Sequence, residues 1–519
     1  MTSQPIFVFP PFRLDAANEQ LWRGSNLLAL RPKTYEVLFY LVQNSQRLVT
    51  KQELLENVWP DITVGDELLR GYIRELREAL GDNAKKPRYI ETVPARGYRL
   101  LLRVELEAPS SPVNARTQVP PPERKLAKSK KELRVGILHS LTGTMAWTES
   151  PVVDATLLAV EEINERGGIR GREIQPVVVD GESNDGAFGR QAEILINQEK
   201  VGTIFGCWTS ASRKSVLPIV EKQNHLLIYP TQYEGMEQCP CIFYTGAAPN
   251  QQIIPAVRWA FGFLRKKRFF LVGWNSVYSR ATNAIIRDEV EASGGEVIGE
   301  EYVLPDSTEV TRVVRTIART KPDLIFNSLV GDMNLFYARL LRAAGITPES
   351  VPTVYFSVGE IELLSLSARE ILGDYAAWNY FQSLDRLANR AFVEKFRSRY
   401  GRQRVVADPM EAGYLGVPLW AQAVEAAGGD DVPAIREALR HQNFEAPEGP
   451  VRIDPENQHT WKTMRLGKVV EGGQFEIVWS SEKPIRPEPY PNSRSVAAWN
   501  KFLAGLFREW DGHWTKSQN

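Results

Sequence analysis

The sequence predicts an α/β protein overall, with a small N-terminal α+β domain followed by two doubly wound α/β lobes. Three observations predict it. The chain has 519 residues, too many for one hydrophobic core. A Pro-rich and basic stretch over residues 106–132 separates two regions of different patterning. Beyond that stretch, strand-like apolar runs alternate with helical patterns in two successive series, which calls for parallel sheets with right-handed crossovers.

Composition narrows the function classes. The formal net charge is zero, so attraction to nucleic acid must come from a local patch. Three cysteines, Cys207, Cys239 and Cys241, make no disulfide framework and fit a reducing compartment. Cys239 and Cys241 are too close for an ordinary zinc pair, and no His cluster accompanies them. The opening MTSQPIFVFPPFRLD lacks the pattern of a signal peptide, and no apolar run reaches membrane-spanning length. A cytoplasmic location, with no membrane partner, is therefore expected. Gly143-Thr144 and Gly331-Asp332 are isolated turns, not phosphate loops, so no nucleotide, metal or other cofactor is expected.

The elements follow in order. Residues 5–30 alternate apolar and polar side chains between turn signals, as a small antiparallel sheet does. Three helical patterns come next. The first, Pro32 to Asn44, has Tyr35, Leu38, Leu41 and Val42 on one face. The second opens at Lys51, with Thr50 and Glu53 at capping-box spacing. The third runs from about Asp66 to Leu80, with Leu69, Ile73, Leu76 and Leu80 in phase, and Gly81-Asp82 ends it. Tyr89 to Val93 and Tyr98 to Leu102 flank a turn at Pro94-Ala95-Arg96-Gly97 and form a hairpin.

Strands, three helices and a closing hairpin describe a winged helix. Trp59-Pro60-Asp61, the LREALGD run from Leu76 to Asp82, and the YIETVPARGYR run from Tyr89 to Arg99 resemble the OmpR/PhoB-type winged helix-turn-helix DNA-binding domain. The resemblance implies that the third helix enters the major groove and the hairpin wing touches the minor groove. The residues agree. Arg70, Arg74 and Arg77 lie on or beside the exposed face of the third helix, and Arg96 sits at the wing tip. Arginine suits both phosphate and guanine edges. Glu67, Glu75 and Glu78 share the helix, so a merely solvated charged face is the alternative on charge alone. Gly71 loosens this helix by roughly 1 kcal/mol. The domain is expected over residues 1–105, acting on double-stranded DNA as a homodimer.

The linker carries Arg124, Lys125, Lys128, Lys130 and Lys131, a run that is ordinarily just solvated. From Leu133 the β/α series begins, and residues 133–519 are expected to form the two lobes. Phe205 to Gln252 holds two loops of one type, each after an apolar run: Gly206-Cys207-Trp208-Thr209-Ser210 and Tyr229-Pro230-Thr231-Gln232-Tyr233-Glu234. Aromatic rings beside hydroxyls at strand ends suit a small, flat, polar ligand.

Val135 to Met145, Phe205 to Gln252, Asp374 to Ser383, Asp408 to Ala412, Ala446 to Pro455 and Pro484 to Tyr490 resemble the type I periplasmic-binding-protein fold. More narrowly, they resemble the substrate-binding protein of urea ABC transporters and the related short-chain amide sensor. That resemblance implies pocket positions at Trp208, Ser210, Tyr229, Thr231 and Tyr278. Where the relatives place Asp-Tyr, this chain has Asn275-Ser276. Urea or a small amide needs donors for its oxygen and acceptors for its N–H groups. Ser210 and Thr231 suit the first role, Asp332 or Glu360 the second, and Trp208 and Tyr229 the faces. Each aromatic alone is as well explained by core packing, and each strand-end carboxylate by helix capping.

Ser210 with His225 or His139 lacks a nucleophile elbow, so catalysis is not expected. The reading is a one-component transcriptional regulator that binds DNA and senses urea or a short-chain amide. The rivals are a receptor acting through a transporter or protein partner, and a regulator whose ligand is a branched-chain amino acid.

Overall fold

The computed structural model describes residues 6–15, 20–23, 26–28, 30, 32–58, 66–84, 86–93, 96–102, 104–107, 132–304, 309–331, 333–365 and 368–516. The chain divides into two compact units, Met1–Ala127 and Lys128–Asn519.

In the first unit, β1 (Ile6–Phe9), β2 (Phe12–Asp15), β3 (Gln20–Arg23) and β4 (Asn26–Leu28) form an antiparallel sheet. Helix α1 (Pro32–Gln43), strand β5 (Val49–Thr50), helix α2 (Lys51–Val58) and helix α3 (Asp66–Leu80) follow, then the hairpin β6 (Ile90–Val93) and β7 (Gly97–Leu100). The capping box forms: Glu53 N donates to Thr50 Oγ1 at 3.1 Å, and Thr50 N to Glu53 Oε2 at 3.4 Å. Leu69, Ile73, Leu76 and Leu80 are buried, because their spacing lays one stripe of α3 against α1 and the sheets. One strand falls where the sequence reads as linker: β8 (Glu105–Glu107) pairs with β1. An edge strand offers unpaired N–H and C=O groups that accept a neighbour whatever its side chains.

The second unit opens with β9 (Leu133–His139), α4 (Ala146–Glu165), β10 (Ile174–Asp180), α5 (Asp185–Asn197), β11 (Ile204–Gly206), α6 (Ser210–Lys222), β12 (Leu227–Tyr229) and β13 (Ile242–Tyr244). These strands make a parallel sheet in the order β10-β9-β11-β12-β13. The second lobe takes α7 (Ile253–Gly262), β14 (Arg268–Trp274), α8 (Val277–Ala292), β15 (Glu296–Val303), α9 (Val310–Thr320), β16 (Leu324–Ser328), α10 (Met333–Ala343), β17 (Thr353–Tyr355), α11 (Glu360–Ser365), α12 (Ala368–Ile371) and β18 (Tyr375–Trp378).

The chain then returns to the first lobe. Helices α13 (Leu387–Tyr400), α14 (Asp408–Ala427) and α15 (Val432–Leu439) share a core with α4, through Val152, Ala155, Tyr414 and Leu415 among others. A small sheet of β19 (Asn443–Ala446), β20 (Gly449–Ile453) and β21 (Thr460–Trp461) follows. Strands β22 (Arg465–Val470) and β23 (Gln474–Ser480) then extend the second sheet antiparallel, giving β15-β14-β16-β17-β18-β22-β23, and α16 (Val496–Glu509) covers it. The two β/α series account for β9 to β12 and β14 to β17, while β13, β18, β22 and β23 widen the sheets and α13 to α15 complete the first lobe from a distant part of the chain.

Candidate functional site

The carboxyl ends of both sheets face one cleft. Strand β11 ends on Gly206 with φ +156°, where a Cβ would lie 2.1 Å from the carbonyl oxygen of Leu138. Only glycine allows the strands to approach so closely. The chain then turns through Cys207, itself left-handed at φ 66°, and enters α6. Thr209 caps that helix by accepting from Ser212 N at 2.9 Å. In the other lobe Ser276 caps α8 in the same way. Each lobe therefore brings a helix N-terminus to the cleft, with its partly positive N–H groups.

Between them lies a cavity of about 60 Å³. By the same measure it has room for roughly five waters, or one small molecule. Trp208, Trp274, Trp378 and Ile361 supply apolar wall, and Ser210, Thr231, Gln232, Tyr278, Ser357 and Glu362 supply polar groups. The lobes already touch here: Gln232 Nε2, from the first, donates to Phe356 O of the second at 3.2 Å.

Several polar atoms of the lining are buried without a hydrogen-bond partner: Thr231 Oγ1, Gln232 Oε1, Tyr278 OH, Ser357 Oγ and Trp274 Nε1. Such groups are costly unless something meets them. Burial pushes the Tyr278 phenol up to about 12, against the opposing pull of the neighbouring Ser357, Gln232 and Thr282 side chains, so it stays neutral. The Glu362 carboxylate accepts from Gly359 N at 2.7 Å, across the first turn of α11. Among the described lining residues there is no Lys, Arg or His.

Of the residues expected from sequence, Trp208, Ser210, Thr231 and Tyr278 come together in this lining. Ser210 also donates to Glu234. Tyr229 lies outside the lining, fully buried behind it, with its hydroxyl on Trp208 O at 2.7 Å. The Arg213 guanidinium stands 4.7 Å from the Tyr229 ring, so that ring stacks on a cation and not on the cavity. Arg213 is fully buried and bonded to Glu237 at 2.7 Å. Burial alone would raise the Glu237 carboxyl, but Arg213 and Lys214 outweigh it and hold it well below the carboxylate range.

Glu360 is likewise outside the lining. Its Oε1 accepts from Gln382 N at 2.6 Å, and burial pushes its carboxyl up to about 8. Asp332 lies outside the described residues. The lining carboxylate is Glu362, two residues beyond Glu360 on α11. The sequence offers both, and only the helix's orientation decides between them. Gln232, Ser357 and Trp274 also went unnoticed, although Gln232 sits inside the second loop already singled out.

In the first unit, Arg74 and Arg96 are exposed. Arg77 is half-buried and docks on the hairpin, with Nη2 donating to Ile90 O and to Thr92 Oγ1, both at 2.8 Å. The Arg70 side chain and Trp59-Pro60-Asp61 lie outside the described residues. Asp82 gathers the backbone N–H groups of Arg88 and Ile90, each at 2.7 Å, and so fixes the loop between α3 and the wing. Cys207, Cys239 and Cys241 are buried. No helix among the described residues is long and apolar enough to cross a membrane.

Comparison with known proteins places both units. Residues 24–100 match the family described as transcriptional regulatory protein, C terminal, the OmpR/PhoB-type domain. The chain is 28% identical over 153 residues to the transcriptional activator CadC of Escherichia coli, covering 25% of this chain and 30% of CadC. It is 32% identical over 136 residues to a limonene hydroxylase of Geobacillus stearothermophilus, covering 26% and 25%. The chain thus spans well under half the length of these two relatives. With the Leu/Ile/Val-binding protein homolog 6 of Brucella suis it shares 25% identity over 293 residues, 54% of this chain and 73% of that one.

A solute-binding protein of an R. palustris ABC transporter, solved with benzoate, superposes with a TM-score of 0.62 at 22% identity, over 69% of this chain and 99% of that one. This likeness carries the type I periplasmic-binding-protein fold. The cleft, the two sheets facing it and the match of residues 133–496 to the family described as periplasmic binding protein domain agree, and the chain belongs to that family, joined to a winged-helix DNA-binding domain of the transcription-regulator type.

Proposed function

We propose that this chain is a one-component transcriptional regulator whose two-lobed unit senses a small, uncharged amide such as urea or a short-chain amide. One observation carries the ligand class. The described cavity lining offers three unpartnered hydroxyls, on Thr231, Tyr278 and Ser357, an unpartnered amide oxygen on Gln232, and no cationic side chain. A neutral amide uses such a set fully: its carbonyl accepts from the hydroxyls, and its N–H groups donate to Gln232 Oε1 and to Glu362. Trp208, with Trp274 and Trp378, covers its faces.

Arg74 and Arg96, with Arg70, are read as the DNA contacts, on double-stranded DNA and as a homodimer on repeated half-sites. Ligand closure and DNA affinity are linked reciprocally if the two units share one equilibrium. Calorimetry of the full chain against urea, formamide, acetamide and leucine tests the ligand class. Promoter affinity with and without the bound compound tests the linkage, and equal affinities would overturn it.

A second reading has its own support. The helix N-termini of α6 and α8 suit a carboxylate, and Glu362 suits an ammonium, so an amino acid also satisfies part of the set. Its mark is leucine binding with no binding of acetamide or urea.

A further inference from the structure

Helix α16 packs into the second lobe through Trp499, Leu503 and Leu506. After it, Asp511 at φ 52° and Gly512 at φ 82° reverse the chain, and the next residues run back to the cleft. There Val277 N donates to Trp514 O at 2.9 Å, and Lys516 N donates to Asn275 O at 3.0 Å. Ser276 and Thr515 pair as an antiparallel bridge, and Thr515 lines the cavity. The segment also reaches the opposite lobe. Lys214 Nζ, on α6, stands 4.6 Å from the Trp514 ring. His513 acts on Asp185 of α5: burial pushes that carboxyl up to about 6, and His513 opposes the rise.

Residues 511–516 lie beyond the stretch 133–496 that matches the family. The segment is bonded to Asn275 and Val277 at the start of α8, completes the wall of the cavity and spans the cleft.

We propose that Asp511–Lys516 is a working part of the ligand site: Thr515 supplies cavity wall, and Trp514 latches the second lobe to α6 of the first, slowing ligand escape. The proposal rests on reading the cavity as the ligand site. Its chemistry is a backbone bridge on one side and a cation over an indole on the other, so it holds the closed cleft without contributing charge to the cavity.

The test uses the full chain with acetamide and urea as probes, and follows dissociation by stopped flow. Trp514→Leu is expected to speed dissociation about tenfold, with a smaller effect on association. Lys214→Met also removes the Lys214–Glu237 ion pair, and combined with Trp514→Leu it is expected to add less than the product of the single effects, because both break the cation–indole contact. Unchanged dissociation in Trp514→Leu, or fully multiplicative effects, would overturn the latch. Thr515→Val keeps the shape and removes the hydroxyl, and a changed ratio of acetamide to urea affinity is expected from it.

Amide hydrogen exchange of the unmodified chain serves if Trp514→Leu does not fold. Protected N–H groups at Val277 and Lys516 support the bridge, and exchange at the rate of an unstructured peptide overturns it. Failure of the wild-type chain to bind either probe, with those N–H groups protected, overturns the amide reading while leaving the segment in place.

Discussion

Arg77 Nη2 donates to the backbone carbonyl of Ile90 at 2.8 Å, tying the third helix of the winged domain to its hairpin. The same nitrogen reaches Thr92 Oγ1 at 2.8 Å. Arg77→Ala is therefore expected to destabilise this domain by about 1–3 kcal/mol, as loss of a charge-assisted hydrogen bond does. Arg74→Ala and Arg96→Ala act differently. Each is expected to reduce the slope of log affinity against log salt by about 1, since on the proposed reading each removes one phosphate contact. Salt titration of operator binding, with urea unfolding alongside, separates the two roles. A reduced slope in Arg77→Ala with no loss of stability would reverse them.

Gly71 lies within α3, and a Cβ built there meets no heavy atom within 4 Å. Gly71→Ala is expected to raise stability by about 0.5–1 kcal/mol through backbone entropy. Its methyl group stands three residues from Arg74, on the same face, so operator affinity is expected to fall. Thermal melting and a gel-shift titration check the pair of outcomes.

The unpartnered hydroxyls of the cavity invert the usual cost of a buried polar substitution. Thr231→Val and Ser357→Ala are expected to leave the ligand-free protein as stable as before, or slightly more so, since each removes a buried group without a partner. Each is expected to weaken acetamide binding about tenfold, the worth of one hydrogen bond. Calorimetry of the ligand and melting of the free protein give the two readings. A loss of stability with unchanged affinity would show that the hydroxyls serve the fold.

Burial pushes Glu360 up to about 8, Asp374 to about 7 and Asp408 to about 6. These folded values exceed the unfolded ones, so the native state holds the protons more tightly. The stability they contribute is fully present below the ordinary carboxyl range and is lost as pH rises through about 6 to 8. Glu360→Gln keeps an acceptor for Gln382 N and removes one titration. It is expected to equal the wild type near about pH 4 and to exceed it by about 1–3 kcal/mol near about pH 8. Urea midpoints across that range check the sign. A constant difference would mean that Glu360 is ionised throughout.

Much of this was legible in the residues. The stripe Leu69, Ile73, Leu76 and Leu80 placed α3 and its buried side, and the Thr50–Glu53 spacing placed the start of α2. The alternation of apolar runs and helical patterns placed β9 to β12 and β14 to β17 to within a few residues, and it left β13, β18, β22 and β23 unread. Trp208, Ser210 and Thr231 were legible as cavity lining because strand-end loops in such sheets face one crevice, whereas Tyr278 was named only through the family resemblance. Tyr229 was not separable from them. Its neighbours in sequence face the cavity, and the guanidinium that claims its ring comes from α6.

By itself the sequence determined the two folds, their order along the chain and the loops that bound the cleft, because periodicity and turn chemistry are local properties. The tertiary structure alone decided which side chains meet there. Glu362 replaced Glu360 because α11 turns one carboxylate to the cavity and the other to Gln382. Helices α13 to α15 joined the first lobe, and Thr515 reached the cavity wall, because contacts between segments hundreds of residues apart depend on how surfaces fit and leave no mark in local pattern.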